Sequence, residues 1–274
     1  MGSRVALSHP AGPHTLYTDH MPGEPARLAE ALARRMKRKV TLNKIGLGCA
    51  GIGEALGGDP LARATDFGRF VMLRRRDFLQ ALELGHPGSC IGLAEESLRR
   101  ASGKVYRQTE ALLLVTCARA YGAGGQGEKA AASLLSAEDA MLAGNDQVPS
   151  YAAASGPVSA TVASHTGKTL TEMKDHRAAE KHYPTALRGR VPGTYQRGHG
   201  LTMANLGKSV AAQHRHEEAV ALWSRSLDFV DGVTSDRSRK ELRSIRSAAT
   251  GYRRRVPGAE ALAQRAAELL RARA

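Results

Sequence analysis

The sequence predicts an all-α fold, a row of antiparallel helical hairpins stacked against one another, and three observations carry that prediction. Ala, Leu, Arg and Glu dominate the 274 residues while aromatic residues make up 4% of them, a composition that favours helix. No segment alternates apolar and polar residues between hairpin turns as strands require. One spacing of small and large residues is written three times. From Gly167 a small residue follows twelve places later at Ala179, then an aromatic one at Tyr183 and another small one at Ala186. From Gly207 the same steps reach Ala219, Trp223 and Ser226, and from Ala118 they reach Ala130, Leu134 and Ala137. Each copy also has an apolar or aromatic residue three places after its first small residue: Tyr121, Leu170 and Val210.

Two antiparallel helices approach closely only where side chains are small, and a large side chain from the second helix then fills the space beside them. Gly167 and Ala179 are expected at such an approach, with Tyr183 as the plug. This order of small, small, aromatic and small resembles the tetratricopeptide repeat, which implies a right-handed tetratricopeptide-like solenoid. The copies begin forty or more residues apart, against about 34 in that repeat. Extra residues are therefore expected between hairpins, as in residues 190–197 with Pro192 and Gly193.

In chain order, residues 1–25 are rich in Pro, Gly and His without periodicity and read as a flexible leader. Residues 26–37 place Leu28, Leu32 and Met36 four apart on a basic helix. Residues 48–58 are dense in glycine and read as a linker. Residues 61–84 fit a helix, and Arg75-Arg76-Asp77-Phe78-Leu79 within them imitates an export signal but lacks the apolar core that should follow. Cys90 to Arg100 reads as a helix ending at Ser102-Gly103, and the first hairpin begins at Tyr106. Residues 145–157 form a loop with Pro149, Gly156 and Pro157 as breakers, and the two best hairpins follow. Ser235 or Asp236 is expected to cap a helix running to about Tyr252 with Leu242 and Ile245 inward. Pro257 stands near the first turn of the last helix. That helix carries Leu262, Ala266, Leu269 and Leu270 on one face, as the cap of a solenoid would.

A wider resemblance covers most of the chain. Residues 28–47, LAEALARRMKRKVTLNKIGL, resemble the tail of the helix-turn-helix domain of actinobacterial regulators of the xenobiotic-response-element type. Those chains continue through a linker into tetratricopeptide-like helices. The closing segments HRAAEKHYPTAL, EEAVALWSRSLDFVDGVTSDRSRKEL and YRRRVPGAEALAQRAAELL resemble theirs too. A reading head needs a first helix, a turn and a recognition helix, and only the leader stands before Leu28, so the DNA-reading part is expected to be truncated. The implied organisation is a leader (1–25), a helix-turn-helix remnant with a glycine-rich linker (26–60), a helical linker region (61–104) and the helical array with its capping helix (105–274).

The formal charge is +14, which favours a polyanionic partner without identifying one. Arg34, Arg35, Lys37, Arg38 and Lys39 are the candidate phosphate contacts if nucleic acid is that partner. Cys49, Cys90 and Cys117 are widely spaced and odd in number, which suggests neither a disulfide framework nor a zinc cluster and fits a reducing cytoplasm. No apolar run approaches the ~18 residues of a membrane span.

Motifs that imitate chemistry have plainer readings. Gly122, Gly124 and Gly127 spell GxGxxG but follow a helix, so a turn is expected in place of a nucleotide cradle. Thr166-Gly167-Lys168-Thr169 ends like a phosphate-binding loop, yet the glycine required five places before Gly167 is Val162. The histidines include no HExxH pair, and no nucleophile with a positioned base can be assembled. The expectation is a protein that is no enzyme and has no metal or cofactor.

The hairpin register supplies one sharper candidate. Directly after each first small residue stands a cation, Arg119, Lys168 and Lys208. Stacked hairpins align equivalent positions of their first helices, so these form a basic stripe suited to an acidic peptide or another anion, with Ser164 and Thr171 nearby as hydrogen-bonding groups. The same cations also fit the solvated faces of a basic chain. The expected function is a cytoplasmic regulatory or adaptor protein that binds a peptide, protein or small ligand. The alternatives are a DNA-binding regulator using the basic N-terminal helix and, more remotely, an enzyme of unknown class. Homodimerisation stays open.

Overall fold

The computed structural model describes residue 82, residues 87–144, residue 152, residues 156–233 and residues 235–272. The leader, the basic helix with Arg34 to Lys39, the glycine-rich linker, the twin-arginine segment, Cys49 and most of the 145–157 loop lie outside the described residues. So does the 61–84 segment apart from Leu82.

Among the described residues the chain forms α1 (Pro87–Ala101), α2 (Arg107–Ala123), α3 (Gly127–Leu142), α4 (Val158–Glu172), α5 (His176–Gly189), α6 (Pro192–Ala211), α7 (His216–Val230), α8 (Asp236–Tyr252) and α9 (Ala259–Arg271), and no strand. Helices α2/α3, α4/α5, α6/α7 and α8/α9 pack as four successive hairpins, and α1 lies against α2. The protein is an all-α, solenoid-like stack of tetratricopeptide-like hairpins.

The repeated spacing works as its sterics require. A Cβ on Gly167 would stand 2.8 Å from the Tyr183 ring, and one on Gly207 2.6 Å from Nε1 of Trp223. Ala179, Tyr183, Ala186, Ala219, Trp223 and Ser226 are all buried, as are Ala118, Ala130, Leu134 and Ala137 of the weakest copy. Two turns lower, hairpins α4/α5 and α6/α7 exchange roles. Ala160 faces Gly189 in the first, while Gly200 faces Phe229 and Val230 in the second.

The turns of the first three hairpins share one geometry. Seven places after each first small residue the backbone is left-handed, at Gly125 (φ 73°), Lys174 (φ 65°) and His214 (φ 64°). The next amide in each case donates back to the residue three places after the small one: Gln126 to Tyr121, Asp175 to Leu170 and Arg215 to Val210. This is the helix-ending motif that satisfies the last free carbonyls. It also explains why GxGxxG is a turn here, since Gly125 supplies the left-handed residue that Lys174 and His214 provide elsewhere.

Caps fix the other ends. The Ser238 amide donates to Ser235 Oγ at 3.1 Å and the Ala178 amide to Asp175 Oδ1 at 2.9 Å. Leu242 and Ile245 are buried. Gly258 (φ 78°) caps α9, so Pro257 stands one place before the cap and outside the first turn. At residues 190–197 Pro192 opens a short helical turn that a kink at Tyr195 (φ −121°, ψ 36°) sets off from the rest of α6, so the extra residues stand ahead of the main repeat helix.

Two apolar cores result. One joins α2, α3 and the start of α4 through Leu112, Val115, Leu134 and Val162; the other runs from Tyr183 through Trp223 to Leu262. Leu170 packs against both. Cys90 and Cys117 belong to a smaller cluster with Ala94 and Ala120, where burial pushes the thiols up to about 11 and about 12.

Candidate functional site

Helices α2, α4, α6 and α8 are the first helices of their hairpins, and their contacts repeat in register. A Cβ on Gly122, four places after Ala118, would lie 3.1 Å from Thr169, two places after Gly167. One hairpin on, Thr171 meets Ser209 at the same two positions, with the hydroxyls 3.0 Å apart.

This register decides the state of the cationic ladder. Arg119 Nη2 donates to Glu172 Oε1 of α4 at 2.7 Å, and Lys208 Nζ lies 2.7 Å from Glu241 of α8, whose side chain is 13% exposed. Lys168, between them, makes no ion pair or hydrogen bond among the described residues. The cause is legible in the repeat: Glu172 stands five places after Gly167, and five places after Gly207 the chain has Ala212. The hairpin that should neutralise Lys168 carries a methyl group at the equivalent position.

Lys168 is only partly exposed, and burial pushes its ammonium down to about 7. Arg119, Arg237 and Arg190 push the same way, against a smaller opposing pull from Glu241. Arg119 thus acts on the Lys168 ammonium, and Glu241, which opposes it, is held by Lys208. Arg119 also keeps a second donor in reserve, because its buried Nε has no acceptor. Two neighbouring cationic groups on this face thus retain hydrogen-bonding capacity that the fold leaves unused.

Ser164 and Thr171 are occupied elsewhere. The Ser164 hydroxyl is 3.5 Å from that of Thr202. Thr171 Oγ1 bonds the Gly167 carbonyl at 2.8 Å and lies 3.1 Å from the Tyr183 hydroxyl. Both tie α4 to its neighbours.

Sequence reasoning missed Arg190. It is 5% exposed and donates to Thr202 Oγ1 at 2.8 Å and Thr161 Oγ1 at 3.3 Å. Burial lowers its guanidinium from the ordinary range, and Gly156 and Gly198 leave the room it occupies. An isolated arginine before Val-Pro carries no signal of burial. Glu172 was findable, since it stands five places after Gly167 in the repeat, whereas Glu241 lies in a helix outside the three copies.

His199, His214 and His216 serve structure. His214 holds a left-handed turn, His216 lies 4.5 Å from the Tyr252 ring, and His199 Nδ1 is 2.9 Å from the Arg190 carbonyl. Among the described residues no group of His, Cys, Asp or Glu is arranged to hold a metal, and no helix is long and apolar enough to cross a membrane. Compared with family models, curated proteins and solved structures, the chain has no match.

Proposed function

We propose that the chain is a cytoplasmic regulatory or adaptor protein whose helical array holds a peptide or protein partner by an anionic group set against Lys168 and Arg119. The observation that carries this is the half-buried Lys168 ammonium, unpaired among the described residues, together with the buried Arg119 Nε that has no acceptor, whereas Lys208 is neutralised by Glu241. Donors left this way cost stability, and a carboxylate or phosphate supplied from outside satisfies both with charge-assisted bonds. The resemblance to actinobacterial regulators supports a regulatory setting.

Calorimetry with a short Glu-rich peptide, against a Lys168→Glu variant, tests the reading. Binding is expected to vanish in the variant and to weaken as pH rises above about 7, with proton uptake on the alkaline side. Binding that ignores both changes overturns it. A second reading, DNA binding through Arg34 to Lys39, is favoured by the +14 charge. Neutralising that cluster and losing salt-dependent DNA binding would support it.

A further inference from the structure

Helix α8 turns Ser238, Leu242, Ile245 and Ala249 inward, which leaves its opposite face open. Lys240, Arg243, Arg246, Ser247 and Thr250 on that face are exposed. Arg243, Arg246, Ser247 and Thr250 border a depression of about 300 Å³. Lys240, Arg243 and Arg246 make no ion pair with the described residues. Of the two α8 carboxylates, Glu241 is held on the other side by Lys208. At the end of the helix Arg253, Arg254 and Arg255 are exposed as well, beside the negative pole of the helix dipole.

We propose that this face of α8 is a docking surface for the phosphodiester backbone of duplex DNA, separate from the Lys168 face. The surface chemistry selects this occupant. Between the cations stand Ser244, Ser247, Thr250 and Gly251, so no large apolar side chain is available to anchor a protein partner or enter a bilayer. The aromatic ring of this stretch, Tyr252, is half-buried and packed against His216 and Trp223, so it is not offered to stack on unpaired bases. Arginine, lysine and hydroxyl groups without apolar or aromatic company are the set that contacts phosphate and sugar. Residues 240–252 rise roughly 18 Å along the helix, enough to follow a groove edge. The major groove of B-form DNA admits a helix, whereas that of an A-form duplex is too narrow. Binding is expected to be independent of sequence, because every group involved is a backbone contact.

The test uses the full chain and fluorescence anisotropy on two unrelated DNA duplexes of about 20 base pairs, over about 50 to 200 mM salt. Equal affinity for the two is expected, with log K falling against log salt at a slope of about −3. The paired change Arg243→Glu/Arg246→Glu should reduce the slope by about 2 and the affinity at least about tenfold on both duplexes. Lys240→Glu should reduce the slope by about 1. These residues are exposed, so circular dichroism should be unchanged. The losses must persist when Arg34 to Lys39 are neutralised, which separates α8 from the N-terminal cluster. The proposal is overturned if neither α8 variant alters binding. It also fails if phosphatidylserine vesicles bind while duplex DNA does not, or if an RNA duplex binds more tightly than DNA.

Discussion

The indole of Trp223 lies where a side chain on Gly207 would be: a Cβ there would stand 2.6 Å from Nε1. The ring cannot slide away, because Nε1 donates to the Ala204 carbonyl at 3.1 Å and Trp223 is 2% exposed. Gly207→Ala is therefore expected to lower stability by about 1–3 kcal/mol through overpacking, and Gly167→Ala to do the same against Tyr183. Gly251 meets nothing within 4 Å, so Gly251→Ala should raise stability by about 0.5–1 kcal/mol. Urea midpoints followed by fluorescence of Trp223, the sole tryptophan, measure all three.

The left-handed turns predict the opposite sign at two surface positions. Lys174 and His214 hold φ of 65° and 64°, where a side chain is strained and glycine is not. Lys174→Gly and His214→Gly should each stabilise by about 0.5–1 kcal/mol, net of the greater freedom glycine gives the unfolded chain. Gly125→Ala should destabilise by a similar amount. Thermal midpoints that rank the other way would show that side-chain contacts at these turns outweigh the backbone term.

Lys168 makes stability depend on pH in a defined window. Its folded-state value is near 7 against an ordinary 10.5, so between those values the unfolded chain holds more protons than the native one. Stability contributed by this group accordingly rises with pH from about 7 to about 10.5 and is lost again toward neutrality. Lys168→Met should flatten the rise and stabilise the protein at pH 7 by about 1–3 kcal/mol. Melting curves across the window check this, and an unchanged slope in the variant would show that Lys168 does not titrate there.

The neutralised rungs should behave differently. Lys208→Met leaves Glu241, 13% exposed, as a carboxylate without its 2.7 Å partner, at a cost of about 1–3 kcal/mol after allowance for partial solvation. Adding Glu241→Gln should recover much of the loss. A double variant as unstable as the single would place the cost in lost packing of the lysine stem.

Much of this was legible because steric rules leave traces in sequence. Glycine at 167 and 207 with an aromatic residue sixteen places on has one packing meaning, and the partners were identified from that spacing. The cations at 119, 168 and 208 were found by register, but their states were not, since those depend on acids from a neighbouring hairpin. Comparing Glu172 with Ala212 at one repeat position would have exposed the difference. The short turn that Pro192 opens before the kink at Tyr195 was not foreseen, because Pro-Gly reads as a break although proline is well placed in a first helical turn. The hydroxyls of Ser164 and Thr171 could not be assigned from sequence, because either face of α4 can use them.

The contact between α4 and α6 is made by Thr171 with Ser209 and by Ser164 with Thr202, and it falls where the two apolar cores meet at Leu170. Hydrocarbon surfaces resist parting, whereas hydroxyls can trade each other for water at small net loss. The molecule therefore has a wettable joint near its middle. Amide exchange should open there before either flank melts, and whatever docks against Lys168 would brace the joint as it binds.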